Sequence, residues 1–187
     1  MERKLYMLNK PFGVLSQHQN EGNRLGWGSL NLPFPADVYS MGRLDADSEG
    51  LLMFTNDNRL KTRMLDPQQG HRRTYHVQVE GSPSEEQLTA LEQPMTLRIK
   101  GKAFVTRGCQ VRVIEPNWPD RVPPIRVRKT VPDTWLELSL DEGKNRQVRR
   151  MTAAVGLPTL RLIRVAMGPW TLNGLEPGAW KELEHRD

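Results

Sequence analysis

The chain has 187 residues, 37% of them hydrophobic and 26% charged, with a net charge of +5. This length allows one large domain or two small lobes, and no apolar run approaches the roughly 20 residues of a membrane span, which excludes a membrane protein. Met1 to Met7 is too short an apolar segment for a secretory signal, and the single cysteine, Cys109, excludes an internal disulfide. Neither Cys109 nor the four histidines have zinc-ligand spacing, so we expect a cytoplasmic protein without a metal.

Positive charge is concentrated in one part of the chain. Between Arg121 and Arg164 there are ten basic and four acidic residues, giving +6, whereas the remainder sums to −1. Such a local excess is typical of a surface that binds nucleic acid, although a solvated surface explains the charge equally well.

The first third of the chain predicts two strands and a helix. Leu5–Leu8 and Leu51–Thr55 are apolar runs of strand length, and the stretch 17–35, rich in Gly, Asn, Pro and Ser, is interpreted as a loop. A short helix is predicted over Asn56–Leu65, ending before Pro67 because the residue preceding a proline disfavours helical dihedrals.

The next elements are a half-buried strand and a capped helix. Apolar and polar residues alternate from Tyr75 to Val79, which predicts a strand. Ser82 is then expected to cap a helix and to form a capping box with Glu85, with Leu88 and Leu91 on the buried side.

Strand signals dominate the following region. Short strands are predicted at Leu97–Ile99 and Val111–Ile114, then a loop over Glu115–Pro132 with five of the fourteen prolines. Alternating leucines from Leu136 to Leu140 predict another half-buried strand.

The C-terminal third combines a helix with a strand. Asn145 is expected to cap a helix that runs to about Val155, and the stretch 159–172 is strand-like. Because strands and isolated helices mix without repeated βα units, we expect an α+β fold with a mixed, largely antiparallel sheet in two lobes. The proline-rich loop is the favoured boundary between the lobes, and a position near Asp66 is the alternative.

The most polar cluster is Gly42–Gly50, directly before a buried strand. A calcium loop of the EF-hand type is excluded because its closing glutamate would fall at Asn56. Two interpretations stay open: an Asx-type turn, which the local sequence favours, and a catalytic carboxylate with Arg43 close enough to keep it ionised.

A second cluster, Glu142–Met151, predicts an amphipathic helix. Val148 and Met151 share one face, and the opposite face carries Arg146, Arg149 and Arg150. Cations in the first turn oppose the helix dipole, so we expect a negative partner, either a phosphate or a carboxylate such as Asp45.

Three further residues have two interpretations each. Tyr75 follows Arg72 and Arg73 and either stacks on a base or belongs to the core. Arg161 and Arg164, interleaved with apolar residues, are either surface charges or part of an RNA-binding cleft.

Taken in chain order, these segments resemble the pseudouridine synthases, and within them the RsuA-type branch that modifies ribosomal RNA. The matching stretches are Asn9–Gly13, GRLDADSEGLLMFTND over Gly42–Asp57, Arg73–Val77, EGKNRQVRRM over Glu142–Met151, and Leu160–Gly168. Together they cover most of the chain, and the stretch beginning at Gly42 is the most specific.

The resemblance implies the pseudouridine synthase fold, with an RNA-binding cleft between two lobes, and a reaction without cofactor or metal. A uridine of large-subunit ribosomal RNA would be isomerised after its base is flipped out of the RNA. The family's catalytic aspartate corresponds to Asp45, and Tyr75 corresponds to the tyrosine that lies against the uracil. Arg149 is the favoured basic partner of the aspartate, ahead of Lys144 and Arg146.

The resemblance also implies a set of binding residues. Leu162 is expected to line the uracil pocket, and Arg43 to displace the target base or hold the RNA. Including Arg43, the expected RNA-binding residues are Lys10, Arg43, Arg73, Lys144, Arg146, Arg150, Arg161 and Arg164.

One departure from the family pattern concerns substrate binding. Because the Asn-Lys-Pro motif begins at position 9, we expect no S4-type RNA-binding domain, and the basic segment and the loop 17–35 must then hold the RNA. A monomer is expected. The alternatives are a synthase acting on another RNA and a non-catalytic RNA-binding protein of ribosome assembly.

Overall fold

A computed structural model describes residues 2–126, 128 and 130–184. The chain forms two compact units, one comprising Met1–His71 with Arg164–Asp187 and the other Arg72–Ile163. The helices and strands are, in chain order, β1 (Leu5–Lys10), β2 (Tyr39–Met41), β3 (Glu49–Thr55), α1 (Asn58–Leu65), β4 (Arg73–Glu80), α2 (Glu85–Glu92), β5 (Thr96–Ile99), β6 (Lys102–Val105), β7 (Gln110–Ile114), β8 (Asp133–Leu140), α3 (Gln147–Ala154), β9 (Thr159–Met167), β10 (Trp170–Thr171) and β11 (Trp180–Leu183). No helix among the described residues is long and apolar enough to cross a membrane.

The first unit is built on β3, which is buried along its whole length. β1 pairs antiparallel with β3 on one side and with β11 on its other edge, and β2 also pairs antiparallel with β3. A continuous apolar run suits this position because both faces of the strand are covered. α1 begins where the Asp57 side chain accepts hydrogen bonds from two backbone N–H groups, and it ends at Leu65, followed by Asp66 as the C-cap before Pro67.

The second unit is built on three antiparallel strands in the order β4-β8-β7. Every second residue of β4 and β8 is buried, as their alternating sequences predict. The buried side chains pack with Leu91 of α2 and with Val148 and Met151 of α3. β5 and β6 form a separate antiparallel hairpin. This arrangement confirms the predicted α+β class with largely antiparallel pairing.

Two predicted helix starts are wrong in detail. The capping box of α2 is formed by Ser84 and Gln87, two residues later than the expected Ser82 and Glu85. α3 begins after Arg146, which adopts a left-handed conformation and provides no side-chain cap, so Asn145 is not the cap. In both cases the order of polar residues allowed several starting points, and packing of the buried face selected one.

Other differences concern short elements and the boundary. The sequence does not predict four short elements, because they carry no strong periodicity. These are β2, β6, β11 and a 3-10 helix at Trp27–Leu30, which lies inside the expected loop. The proline-rich loop lies within the second unit, and the chain passes between the units after His71, close to the alternative near Asp66, and again after Ile163. Val127 and Lys129 of the basic segment, and His185, lie outside the described residues.

Gly50 is the position where β3 has no room for a side chain. Its φ is +103°, and a Cβ there would lie 2.3 Å from the carbonyl oxygen of Arg164 on β9. We expect Gly50→Ala to lower the free energy of unfolding by about 3 kcal/mol or more, because strain and steric overlap add. Chemical denaturation measures this change.

Gly174→Ala is the matched control. Gly174 also has a positive φ, +74°, but nothing lies within 4 Å of its Cβ position. Gly174→Ala should lower the free energy of unfolding only through conformational strain, by about 1 kcal/mol. Equal losses in the two variants would contradict the role assigned to the close approach of Arg164.

Candidate active site

Asp45 lies on a tight turn that is held from both sides. The Ser16 hydroxyl donates to the carbonyl of Leu44 (2.7 Å) and accepts from the N–H of the same residue (2.8 Å). The N–H of Gly13 donates to the carbonyl of Ala46 (2.7 Å), and the N–H of Ser48 donates to the carbonyl of Asp45 (3.0 Å). Leu44 and Ser48 are buried whereas Asp45 is half-buried, so the backbone of the turn is fixed while part of Asp45 reaches the surface.

Lys10 ends β1 with a side chain that is 0% exposed. Its ammonium group donates to the carbonyl of Val14 (2.6 Å) and to that of Pro11 (2.9 Å). Burial lowers the pKa of Lys10 from 10.5 to about 8, and the nearby carboxylates, Glu49 and Asp47 ahead of Asp45, oppose that shift. Lys10 was expected to bind RNA, but the structure places its charge inside the first unit.

Arg43 has the opposite environment. Its side chain is exposed, and its guanidinium donates to the Gln17 amide oxygen at 3.5 Å, the long limit of a hydrogen bond. An arginine so loosely held, two residues before Asp45, is suited to contact a substrate.

In the second unit, Tyr75 and Leu162 belong to one cluster of buried side chains. Tyr75 lies on β4 opposite Leu138 of β8 and is 9% exposed. The expected pocket residue Leu162 and Tyr75 therefore lie in the same core, and stacking of Tyr75 on a base stays a prediction. A tyrosine at the margin of this core can still present part of its ring to a ligand.

The loop before α3 is organised by Gln147, a buried side chain. Its amide oxygen accepts from the N–H of Lys144 (3.0 Å), and its amide nitrogen donates to Glu142. The same Glu142 oxygen accepts from the N–H of Arg107 (2.9 Å). These bonds fix the loop from which the basic residues project.

The basic residues around this loop differ in how they are held. Lys144 lies over the ring of Phe104, 5.2 Å from its centroid. Arg150 donates to the carbonyl of Arg98 on β5 (2.9 Å), and the Arg73 guanidinium packs against Gly143, 3.4 Å from its Cβ position. Arg146 is exposed and Arg149, the favoured partner of Asp45, is half-buried on α3.

Arg161 and Arg164 are buried, each 4% exposed, so the interpretation as surface charges is wrong. Arg161 donates to the carbonyl of Pro119 (2.8 Å) and lies over the ring of Trp135. Arg164 donates to the carbonyl of Leu51 (2.9 Å). Alternation of arginine with apolar residues is compatible with an exposed face, but here the guanidinium groups bind backbone carbonyls.

His76 attaches the proline-rich loop to the second unit. The indole N–H of Trp118 donates to Nδ1 of His76 (3.0 Å), and Nε2 of the same ring lies 3.1 Å from Glu137. Burial lowers the pKa of His76, although Glu137 acts against the shift. Together with the Arg161 bond to Pro119, this contact holds the first part of the loop.

Sequence reasoning missed Ser16, which carried no signal because a serine in a loop is common. Gln147 lies inside the stretch Glu142–Met151, but the interpretation of that stretch depends on the charged residues beside it. Among the residues that the structure describes, no three His, Cys, Asp or Glu side chains form a group able to hold a metal ion.

Comparison with known proteins identifies the family. Residues 4–154 match the model of the RNA pseudouridylate synthases, and the chain belongs to that family. It is therefore an enzyme of the class that isomerises uridine in RNA.

Individual relatives agree with this assignment. The chain is 54% identical over 176 residues to the ribosomal large subunit pseudouridine synthase E of Xanthomonas axonopodis pv. citri, covering 92% of this chain and 90% of the relative. Identity to the enzyme of the same name from Vibrio vulnificus is 45% over 183 residues, covering 97% and 76%. A crystal structure of a pseudouridylate synthase superposes with a TM-score of 0.80 at 25% identity, covering 98% of this chain and 71% of that one. The predicted fold is confirmed.

The buried ammonium group of Lys10 predicts a specific pH dependence. Between pH 8 and 10.5 the unfolded chain holds a proton that the folded chain has released, so the free energy of unfolding rises with pH. Relative to Lys10→Met, wild-type protein should gain about 3 kcal/mol across this window, at 1.36 kcal/mol for each pKa unit. Denaturant unfolding at a series of pH values measures the difference.

Lys181→Met serves as the control because Lys181 is exposed on β11. Its unfolding is measured over the same pH series, so that the effect of losing an exposed lysine can be subtracted. A Lys10→Met curve parallel to that of the wild type would contradict the burial of the Lys10 charge.

Proposed function

We propose that this protein converts a specific uridine of large-subunit ribosomal RNA to pseudouridine, with Asp45 as the catalytic carboxylate. The observation that carries the proposal is the turn at Asp45, whose backbone is fixed through Leu44 and Ala46 while the residue stays partly exposed. Fixed, accessible charge is what electrostatic catalysis needs, because no reorganisation then accompanies the reaction. The relatives named as large-subunit synthases support the choice of RNA.

The proposed reaction is an isomerisation without net oxidation. The bond between N1 of the uracil and C1′ of the ribose breaks, the base turns, and a bond forms between C5 and C1′. A proton leaves C5 and a proton is gained at N1, so atoms and charge balance. Asp45 assists at C1′, where positive charge develops as the glycosidic bond breaks.

The other proposed residues act on the base and its surroundings. Tyr75 lies against the uracil and helps to move the C5 proton, and Leu162, in the same apolar cluster, lines the pocket. An apolar wall with a single hydroxyl suits a flat, polar-edged base, which stacks on the ring and is released from water. The prediction that Arg149 keeps Asp45 ionised stays a prediction.

RNA binding is assigned mainly to exposed cations. Arg43 in the first unit and Lys144 and Arg146 in the second are exposed, and these are the proposed phosphate contacts. Arg73 and Arg150 contribute beside them from partly buried positions. Lys10, Arg161 and Arg164 are positioning residues, because their charged groups hold backbone carbonyls. We expect the enzyme to act as a monomer in the cytoplasm.

Asp45→Asn tests the catalytic assignment. The variant keeps the shape of the side chain and removes its charge, so we expect RNA binding close to wild type and no pseudouridine above background. The product is mapped by nucleotide on unmodified large-subunit RNA, with small-subunit and transfer RNA in parallel.

Asp47→Asn is the matched control, since Asp47 is a half-buried carboxylate on the same turn. It should retain turnover, and its unfolding temperature is measured as well because Asp47 is one of the carboxylates near the buried Lys10 charge. Turnover by Asp45→Asn would remove that residue from catalysis. Wild-type product found only on another RNA would contradict the proposed substrate.

The exposed cations of the loop before α3 predict the salt dependence of binding. Each phosphate contact contributes about 0.7 to 0.9 to the slope of log affinity against log salt concentration. Lys144→Ala with Arg146→Ala should therefore weaken RNA binding and lower the slope by about 1 to 2. Fluorescence anisotropy at four salt concentrations measures both quantities.

The control removes the same charge elsewhere. Arg59 on α1 and Lys181 on β11 are both exposed, and their double alanine variant should leave the slope near that of the wild type. Equal decreases in the two double variants would show a general charge effect and contradict the placement of the phosphate contacts.

A further inference from the structure

A cavity of about 690 Å³ opens in the first unit beside Arg43. Its walls come from the segment 16–19, the 3-10 helix at Trp27, the segment 32–40 and Lys61 of α1. The volume lies within the roughly 300 to 1,000 Å³ of sites that hold small ligands. Most of these walls belong to the loop that the sequence identified as a candidate for holding RNA.

The lining is rich in rings. His18, Trp27, Phe34 and Tyr39 all border the cavity. Trp27 contacts the rings of His18 and Phe34 at centroid distances of 4.6 and 6.0 Å, so this wall is packed and rigid. Tyr39 differs, because 60% of its surface is exposed although it lies on a paired strand.

The charge of the lining is entirely positive. Its only charged residues are Arg43 and Lys61, and no aspartate or glutamate borders the cavity in the described part of the chain. The side chains of Gln17 and Gln19 add amide donors and acceptors. Exposed rings, cations and amides together suit a nucleotide, whose base stacks, whose phosphate is negative and whose edges form hydrogen bonds.

The cavity is separate from the turn that presents the catalytic carboxylate but close to it. Neither Lys10 nor Asp45 lines it, whereas Arg43 does. Two residues of extended chain span at most about 7 Å, so Arg43 and Asp45 are near enough to contact one RNA strand at neighbouring nucleotides.

We propose that this cavity binds an unpaired nucleotide that flanks the target uridine in the substrate RNA. Its base stacks on Tyr39, and its phosphate is neutralised by Arg43 and Lys61. This inference rests on the proposed function and adds to it a second base-binding site, one that selects RNA with a flexible neighbour of the target. Such a site adds to the affinity for the substrate RNA through residues of the first unit.

The test combines protein variants with RNA variants. Tyr39→Ala should weaken binding of a target-containing RNA fragment about tenfold, as expected for loss of one stacked base. Tyr39→Phe keeps the ring and should bind like the wild type. Lys61→Ala should weaken binding and lower its salt dependence, and Lys181→Ala, outside the cavity, should do neither.

Abasic substitutions locate the partner nucleotide. Removing the base at one position flanking the target should weaken wild-type binding about as much as Tyr39→Ala does, and should add nothing further in that variant. Independent effects at every abasic position, or wild-type affinity of Tyr39→Ala, would overturn the proposal. Circular dichroism and the unfolding temperature establish that each variant is folded.

A free nucleotide is the competing occupant. Titration with AMP and with UMP, followed by tryptophan fluorescence, tests this directly because Trp27 lines the cavity. Nucleotide binding that Tyr39→Ala abolishes, together with unchanged RNA affinity, would overturn the proposal in favour of a free-nucleotide site. RNA binding is measured separately from turnover. If the wild type forms no pseudouridine, the proposed function is contradicted, and the binding measurements still test the role of this cavity.

Discussion

The first unit depends on an ammonium group that is kept out of water. Lys10 ends β1 inside the unit, and its hydrogen bonds to Pro11 and Val14 fix the turn that follows the strand. From that turn, Gly13 and Ser16 reach the segment that carries Asp45. Burying a charge is costly, and the cost is offset by the carbonyl contacts and by the nearby carboxylates. These contacts hold the backbone at Asp45 in a fixed position.

The two units support the proposed chemistry in different ways. The first supplies a carboxylate on a braced turn, an exposed arginine and a cavity lined with rings. In the second, an apolar cluster contains Tyr75, and a loop ordered by Gln147 displays cations. Rigidity comes from side chains bonded to backbone carbonyls and N–H groups. The groups proposed to touch RNA are the ones left exposed or half-buried.

Much of this architecture could be predicted from the residues. Continuous apolar runs located β1 and β3, which are buried on both faces, and alternation located β4 and β8, which bury every second side chain. The short strands β2, β6 and β11 could not be predicted, since only pairing with a neighbouring strand defines them. Asp45 is a candidate catalytic residue because of a specific motif, whereas Ser16 acts through distant hydrogen bonds that a local pattern does not encode. The charge count located the basic segment but overestimated how many of its charges lie on the surface, because Arg161 and Arg164 are buried.

The contact between Trp118 and His76 has a consequence for acid conditions. An indole N–H can only donate, so Nδ1 of His76 must be unprotonated and the N–H must lie on Nε2, facing Glu137. Protonation of the ring would place a second N–H against the indole and release this contact, while the Arg161 bond to Pro119 still holds the loop. Burial lowers the pKa of His76, which moves this release toward more acidic conditions than an ordinary histidine would allow. The Trp118 contact is therefore less sensitive to acid than a contact made by an exposed histidine.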